Sequence, residues 1–187
     1  MESEAMMRLT QISTARLRLV ALNAELAELQ LRDRMGFFDA LGVMPEPSWP
    51  PDLMDQAAME WMRDQLAARP DDAGWYGWVY ISPALNRLVG TGGFKGVPSA
   101  AGEVEIGYSM LNSYREQGLA TEGVLALLDW AYDHDAVKSV IAQTRADRNA
   151  SHRVLEKAGF VETGKHEDPE DGFEVLSWRN ERARAAA

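Results

Sequence analysis

The chain has no cysteine. That absence removes disulfides, thiolate metal sites and a cysteine nucleophile together, and it fits a cytoplasmic protein. Histidine is scarce: His134, His152 and His166 are the only three. None stands in a metal-ligand spacing such as H-E-x-x-H, so no metal is expected. No apolar run approaches the roughly 20 residues that a transmembrane helix needs. The opening MESEAMMRLT has no basic region followed by an apolar one, so neither a membrane span nor a secretory signal is expected. Blocks of Lys and Arg are missing as well, and the formal net charge is -10. Nucleic acid is therefore not an expected partner, because its phosphates call for clustered cations. An acidic surface attracts cationic amines, although solubility alone accounts for such a charge.

What is present is a foldable composition. Of 187 residues, 46% are hydrophobic and 26% charged, which suits one globular domain and not a disordered chain. We expect a single domain over 1–187 with its core at about 15–178, and frayed ends at 1–12 and 181–187. Thr14 to Leu22 alternates at Leu17, Leu19 and Ala21 and reads as a strand. Asn23 is placed to cap a helix over AELAELQLRDRM. Four prolines, Pro45, Pro47, Pro50 and Pro51, then stiffen an irregular loop. Asp55 is placed to cap a helix from Gln56 to Ala68, with Met59, Met62 and Leu66 on one stripe. Three strands, Trp75–Ile81, Leu88–Phe94 and Glu103–Leu111, follow with short turns between them and should be antiparallel. A helix from Gly118 to Tyr132 should cross over to a parallel strand, Ser139–Thr144. Asn149 is expected to cap a short helix ending before Gly159. A hairpin of Phe160–Gly164 and Phe173–Trp178 closes the chain. The order β-α-α-β-β-β-α-β-α-β-β describes an α/β protein with a mixed, mostly antiparallel sheet flanked by helices.

The stretch SYREQGLATEG, Ser113 to Gly123, joins a strand to a helix. It matches neither G-x-x-x-x-G-K-[ST] nor G-x-G-x-x-G. Its physics still favours an anion. The first turn of a helix leaves several N–H groups without partners at the positive end of the dipole. Gly118 and Ala120 keep little side chain in the way, and Arg115 adds charge. A pyrophosphate on the amides of Gln117 to Thr121 is one reading. An ordinary strand-to-helix turn is the other.

The neighbouring motifs bear on that choice. Glu105 to Leu111 reads EIGYSML, Arg115 to Ala120 reads REQGLA, and Asn149 to Phe160 reads NASHRVLEKAGF. Together and in this order they resemble the GNAT superfamily of N-acetyltransferases, over about Ala15 to Trp178. The branch that looks most similar is the ribosomal-protein (Rim-type) acetyltransferases. Tyr114 stands where that branch usually has tryptophan, and Gly123 where it has alanine. The resemblance implies a splayed pair of parallel strands and acetyl-CoA as cosubstrate. Its pantetheine arm would bond the backbone of Met110 and Leu111. Its pyrophosphate would lie on Arg115, Gln117, Gly118, Leu119, Ala120 and Thr121, with Asn149 near the arm. A homodimer is possible on the same ground.

Acetyl transfer to a primary amine, on a small molecule or a protein N-terminus, needs a proton acceptor and a stabilised leaving thiolate. Glu105 is the expected base, acting through water. Glu103, two residues earlier on the same strand face, is either a second carboxylate for a cationic substrate or an exposed strand start. Ser151 is a candidate donor to the thiolate, or else a residue satisfying a helix start. Tyr108 points to the opposite strand face and is read as packing, and His152 as a surface residue. The acceptor pocket is expected around Phe37, Phe38 and Trp49 in and beside the proline-rich loop, with Met44, Trp75 and Trp78 in reach. A noncatalytic acyl-CoA-binding module of the same fold is the alternative.

Overall fold

The computed structural model describes residues 9–182. An eight-stranded sheet runs in the order β1-β2-β3-β4-β5-β6-β8-β7. Its strands are β1 (Gln11–Ser13), β2 (Arg18–Ala21), β3 (Gly77–Ser82), β4 (Arg87–Phe94), β5 (Glu103–Met110), β6 (Ser139–Arg145), β7 (Val161–Glu167) and β8 (Glu174–Glu181). Every neighbouring pair is antiparallel except β5 and β6. Helix α4 (Leu119–Tyr132) makes the crossover between those two. Helices α1 (Ala24–Arg32), α2 (Arg34–Leu41) and α3 (Gln56–Ala68) lie between β2 and β3 in the chain, and α5 (Asn149–Lys157) lies between β6 and β7. The fold is thus a mixed α/β sheet, as expected. Among the described residues no helix is long and apolar enough to cross a membrane.

Strand alternation builds two cores. Trp78 and Tyr80 of β3 join Leu19, Ile106, Leu127 and Leu155 beneath α4 and α5. Val79 and Ile81 join Leu22, Phe37, Phe38 and Leu66 beneath α1 to α3. β3 is buried along its whole length, which is why it reads as a continuous apolar run.

Several boundaries differ from the sequence reading. The first helix is broken at Asp33. This residue ends α1, and its carboxylate accepts from Gly36 N–H at 2.9 Å to cap α2. The strand expected from Thr14 begins only at Arg18, because Thr14 and Leu17 close a turn through Thr14 N–H to Leu17 C=O (2.9 Å). Gln11 and Ile12, expected to fray, pair with Val20 and Leu19. Asn149 is the first residue of α5 and not its cap; Arg148 holds the cap position without a side-chain bond. Glu181, also expected to fray, pairs with Ser139 at the end of β8, and residues 1–8 and 183–187 lie outside the described residues.

Gly123 has a local cause. A Cβ there would stand 2.4 Å from the Tyr80 ring, and one at Gly92 would stand 2.1 Å from the Tyr80 hydroxyl. Tyr80 is fully buried and fills the space between β4 and α4 that these two glycines leave. Among the described residues its hydroxyl has no hydrogen-bond partner, and burial pushes its pKa up. In an exposed helix Gly→Ala would stabilise by about 1 kcal/mol. Here Gly123→Ala should instead destabilise by about 1–3 kcal/mol through overpacking, read as a lower midpoint in urea unfolding.

Candidate active site

β5 and β6 pair only at Glu103–Ser139, Val104–Val140 and Glu105–Ile141. Beyond that point β5 stays with β4, from Ile106–Phe94 to Met110–Gly90. β6 instead stays with β8 as far as Arg145–Val175. The parallel strands therefore part. Lys95 N–H donates to Glu105 C=O, and Leu111 N–H to Val89 C=O, each at 3.0 Å. In an antiparallel ladder the backbone groups alternate sides, so the odd residues of β5 face β4. The backbone of Tyr108 and Met110 faces the gap. This corrects the expectation for Leu111. Its N–H is spent on Val89, its C=O accepts from Tyr114 N–H at 2.9 Å, and the residue is buried.

A cleft of about 730 Å³ occupies the gap. Side-chain alternation puts Glu105, Gly107 and Ser109 on the sheet face that carries α3, and Tyr108 on the face that carries α4 and α5. All four line the cleft, as do Ser151 of α5 and Leu53, Trp61 and Tyr76 on the opposite side. The cleft thus passes from one face of the sheet to the other. A Cβ on Gly107 would meet nothing within 4 Å, so the strand leaves open room there. Tyr108 donates from its hydroxyl to Ser151 C=O at 3.0 Å, and burial raises its pKa. That bond ties the first turn of α5 to β5 beside the cleft.

Past the Met110 end of β5, where the strands have parted, the chain turns into the start of α4, and Arg115 to Thr121 line no part of the cleft. Asn23, Asp33 and Asp55 cap α1, α2 and α3 with their side chains, but Gly118 caps α4 with none. Gly118 takes φ 79° and Glu116 φ 60°, and the first intrahelical bond is Glu122 N–H to Gly118 C=O at 3.1 Å. The amides of Leu119, Ala120 and Thr121 precede it and are not bonded within the helix. Leu119 is anchored in the core, while Gln117 is exposed and donates from its side chain to Ser113 C=O at 3.2 Å. Arg115 donates to Met110 C=O at 3.3 Å and pairs with Asp52 at 3.4 Å. Tyr114, in place of the usual tryptophan, donates to Glu46 at 3.1 Å. Two polar ties therefore join this loop to the proline-rich segment.

A clasp absent from the sequence reading holds the same turn. Glu122 accepts from Thr14 Oγ1 (2.6 Å), Arg16 N–H (2.7 Å) and Arg16 Nε (2.8 Å). Arg16 also donates to Gln117 C=O at 2.7 Å. Arg16 and Glu122 are 106 residues apart in the chain, so no spacing signal announces them.

The expected acids have separate partners. Glu105 pairs with Lys95 at 2.5 Å, and Glu103 with Arg179 at 2.7 Å. Glu105 lines the cleft and Glu103 does not, so the two do not act as a joint carboxylate site. Phe37, Phe38 and Trp49 are at most 2% exposed and lie in the core under α1 to α3; their apolar bulk is spent on folding and they line no part of the cleft. Trp75 and Trp78 pack against Trp130. His152 donates from Nε2 to Arg145 C=O at 3.1 Å, and its ring lies 5.5 Å from the Trp178 ring. Asn149 is exposed and outside the cleft. The residues missed are Lys95, Trp61 and Tyr76, whereas Leu53 ends the proline-rich loop in which the acceptor pocket was expected. Trp61 alone left a signal, since it falls off the buried Met62–Leu66 stripe of its helix.

With this geometry in view, residues 16–161 match the acetyltransferase (GNAT) domain. The N-acetyltransferase YjdG of Bacillus subtilis (strain 168), whose role is uncharacterized, is 28% identical over 151 residues, 80% of this chain and 89% of that protein. The ribosomal-protein-S5-alanine acetyltransferase from Vibrio fischeri superposes with a TM-score of 0.67 at 14% identity, over 95% of this chain and all of that one (100%). A ribosomal L7/L12 alpha-N-protein acetyltransferase in complex with coenzyme A superposes with a TM-score of 0.64 at 17% identity, over 92% of this chain and 98% of that one. Family and fold together define an N-acetyltransferase. The chain belongs to the GNAT acetyltransferase family.

The clasp carries a pH dependence. Burial raises the pKa of Glu122, but hydrogen bonds from Thr14 and Arg16 outweigh it and leave the folded value lowered. A lowered carboxyl contributes stability that is complete above its unfolded pKa and is lost as pH falls through the folded value. Glu122→Ala should therefore cost about 1–2 kcal/mol near neutrality and little in strong acid. Urea unfolding across pH checks this, and amide exchange at Leu119 to Thr121 should quicken in the variant.

Proposed function

We propose that the protein transfers the acetyl group of acetyl-CoA to the nitrogen of a primary amine, by direct attack within a ternary complex. The observation that carries this reading is the cleft that passes through the sheet where β5 and β6 part. A donor and an acceptor entering from opposite faces would meet beside Glu105. The cosubstrate fits the residues present. The outward N–H and C=O groups of Tyr108 and the outward N–H of Met110 suit an amide-bearing arm laid along β5. The uncapped amides of Leu119, Ala120 and Thr121 suit a pyrophosphate, with Gly118 leaving space for its approach. When bound, acetyl-CoA supplies an acyl group already activated as a thioester.

The protein's own share is positioning and proton transfer. Lys95 holds Oε1 of Glu105, and Oε2 takes the proton of the attacking amine through a water molecule. Ser151, steadied by the Tyr108 bond to its carbonyl, donates to the departing sulfur. The acceptor is a small-molecule amine or a protein N-terminus. The loop holds no lysine or hydroxyl in a Walker arrangement, which suits a pyrophosphate that is held and not cleaved.

Two experiments test the reading. Glu105→Gln should lower kcat/KM by about 10²–10⁴-fold in a CoA-release assay with an amine panel, while CoA still raises thermal stability as in the parent. An undiminished rate would remove Glu105 as the base. Gly118→Val meets a left-handed φ and lies 3.2 Å from Arg16 at its Cβ. It and Ala120→Val should weaken CoA binding about 10-fold or more, on the order of one lost charge-assisted contact, whereas Gln117→Ala should change it little. Titration calorimetry with CoA checks this; equal losses at all three positions would refute amide-based binding.

A further inference from the structure

On the α3 side, the wall of the cleft is apolar, being formed by Leu53, Met54, Trp61, Met62 and Tyr76. Met62 and Tyr76 are buried and form its floor. Trp61 stands edge-on to Tyr76 with ring centroids 5.7 Å apart and an interplanar angle of 68°. Yet Trp61 is 45% exposed and Leu53 is 66% exposed. A large aromatic and a leucine left open at the rim of a cleft form a surface that gains by being covered. The charges around the cleft bear on what covers it. Lys95, Arg145 and Arg148 stand against Glu105 and Asp168, and Glu105 is already paired with Lys95. A polycation would require a row of unpaired carboxylates, and this wall offers none.

Resting on the acetyl-transfer reading above, we propose that the acceptor is a monoamine bearing a flat or branched apolar group, which Trp61 and Leu53 cover while the amine reaches Glu105. The tryptophan supplies a rigid face. Met54 beside it is unbranched and adapts to the shape of the group. The amine is carried either by a small molecule or by the first residue of a peptide. The recognition chemistry is the same for both.

The test uses the full chain with acetyl-CoA and three acceptors at matched concentration: phenethylamine, a short peptide beginning with phenylalanine, and spermidine. At least one aromatic acceptor should exceed spermidine in kcat/KM by about 10-fold or more, the scale of an apolar pocket contact; whichever of the two is faster identifies the source. Trp61→Ala should raise KM for that acceptor about 10-fold and leave KM for acetyl-CoA unchanged, while Trp61→Phe retains most of the affinity. A preference for spermidine, or an unchanged acceptor KM in Trp61→Ala, would overturn the proposal. So would a Trp61→Ala variant that changes only the mass in solution, since the rim would then be covered by a second copy of the chain. Thermal stability with CoA present separates this proposal from the reading it rests on. If phenethylamine raises the Tm of the parent but not of Trp61→Ala, and no acceptor releases CoA, the apolar acceptor site stands and acetyl transfer falls.

Discussion

The parting of β5 and β6 is the constraint on which the rest of the structure depends. A strand inside a sheet is normally satisfied on both edges. Here β5 is paired on one side along most of its length and on the other for three residues only. The polar backbone of Tyr108 is thereby turned toward a cleft. Burying such groups without partners is unfavourable, so the gap has to stay accessible to water or to a ligand. The opening persists because each strand has its own second partner: β4 holds β5, and β8 holds β6.

Everything around the gap keeps it open and shaped. α4 crosses between the diverging strands, and its first turn is held from outside by the Thr14–Arg16–Glu122 clasp. The helix start can then present its amides without a side-chain cap. Tyr108 ties α5 to the same strand. Glu46 and Asp52 tie the proline-rich segment to the loop before α4. In the proposed reading, the donor and acceptor sides are thus joined by short polar contacts and not only through the core.

How much of this was legible depended on distance along the chain. The bounds of α3 were readable, because Asp55 and the Met62–Leu66 stripe are local signals. The parallel crossover was readable too, since the length of α4 leaves β6 no other topology. Glu105 was singled out from its strand motif, and it does line the cleft. Phe37, Phe38 and Trp49, expected to line an acceptor pocket, lie in the core instead. They have the same composition as a pocket lining, and composition cannot distinguish a pocket from a core. The break at Asp33 was missed because a helical pattern continues across it; only the carboxylate's bond to Gly36 reveals the stop.

By itself the sequence determined the element order from α3 onward, the family, and the glycine at the start of α4, since these rest on neighbours within a turn or a strand. The tertiary structure alone decided which backbone groups face the gap, which acid lines the cleft, and which aromatics remain exposed to a ligand. Each of these depends on pairing between strands or helices tens of residues apart. Glu103 and Glu105 make the point: both are strand glutamates on one face, yet Arg179 draws one away from the cleft and Lys95 holds the other at it.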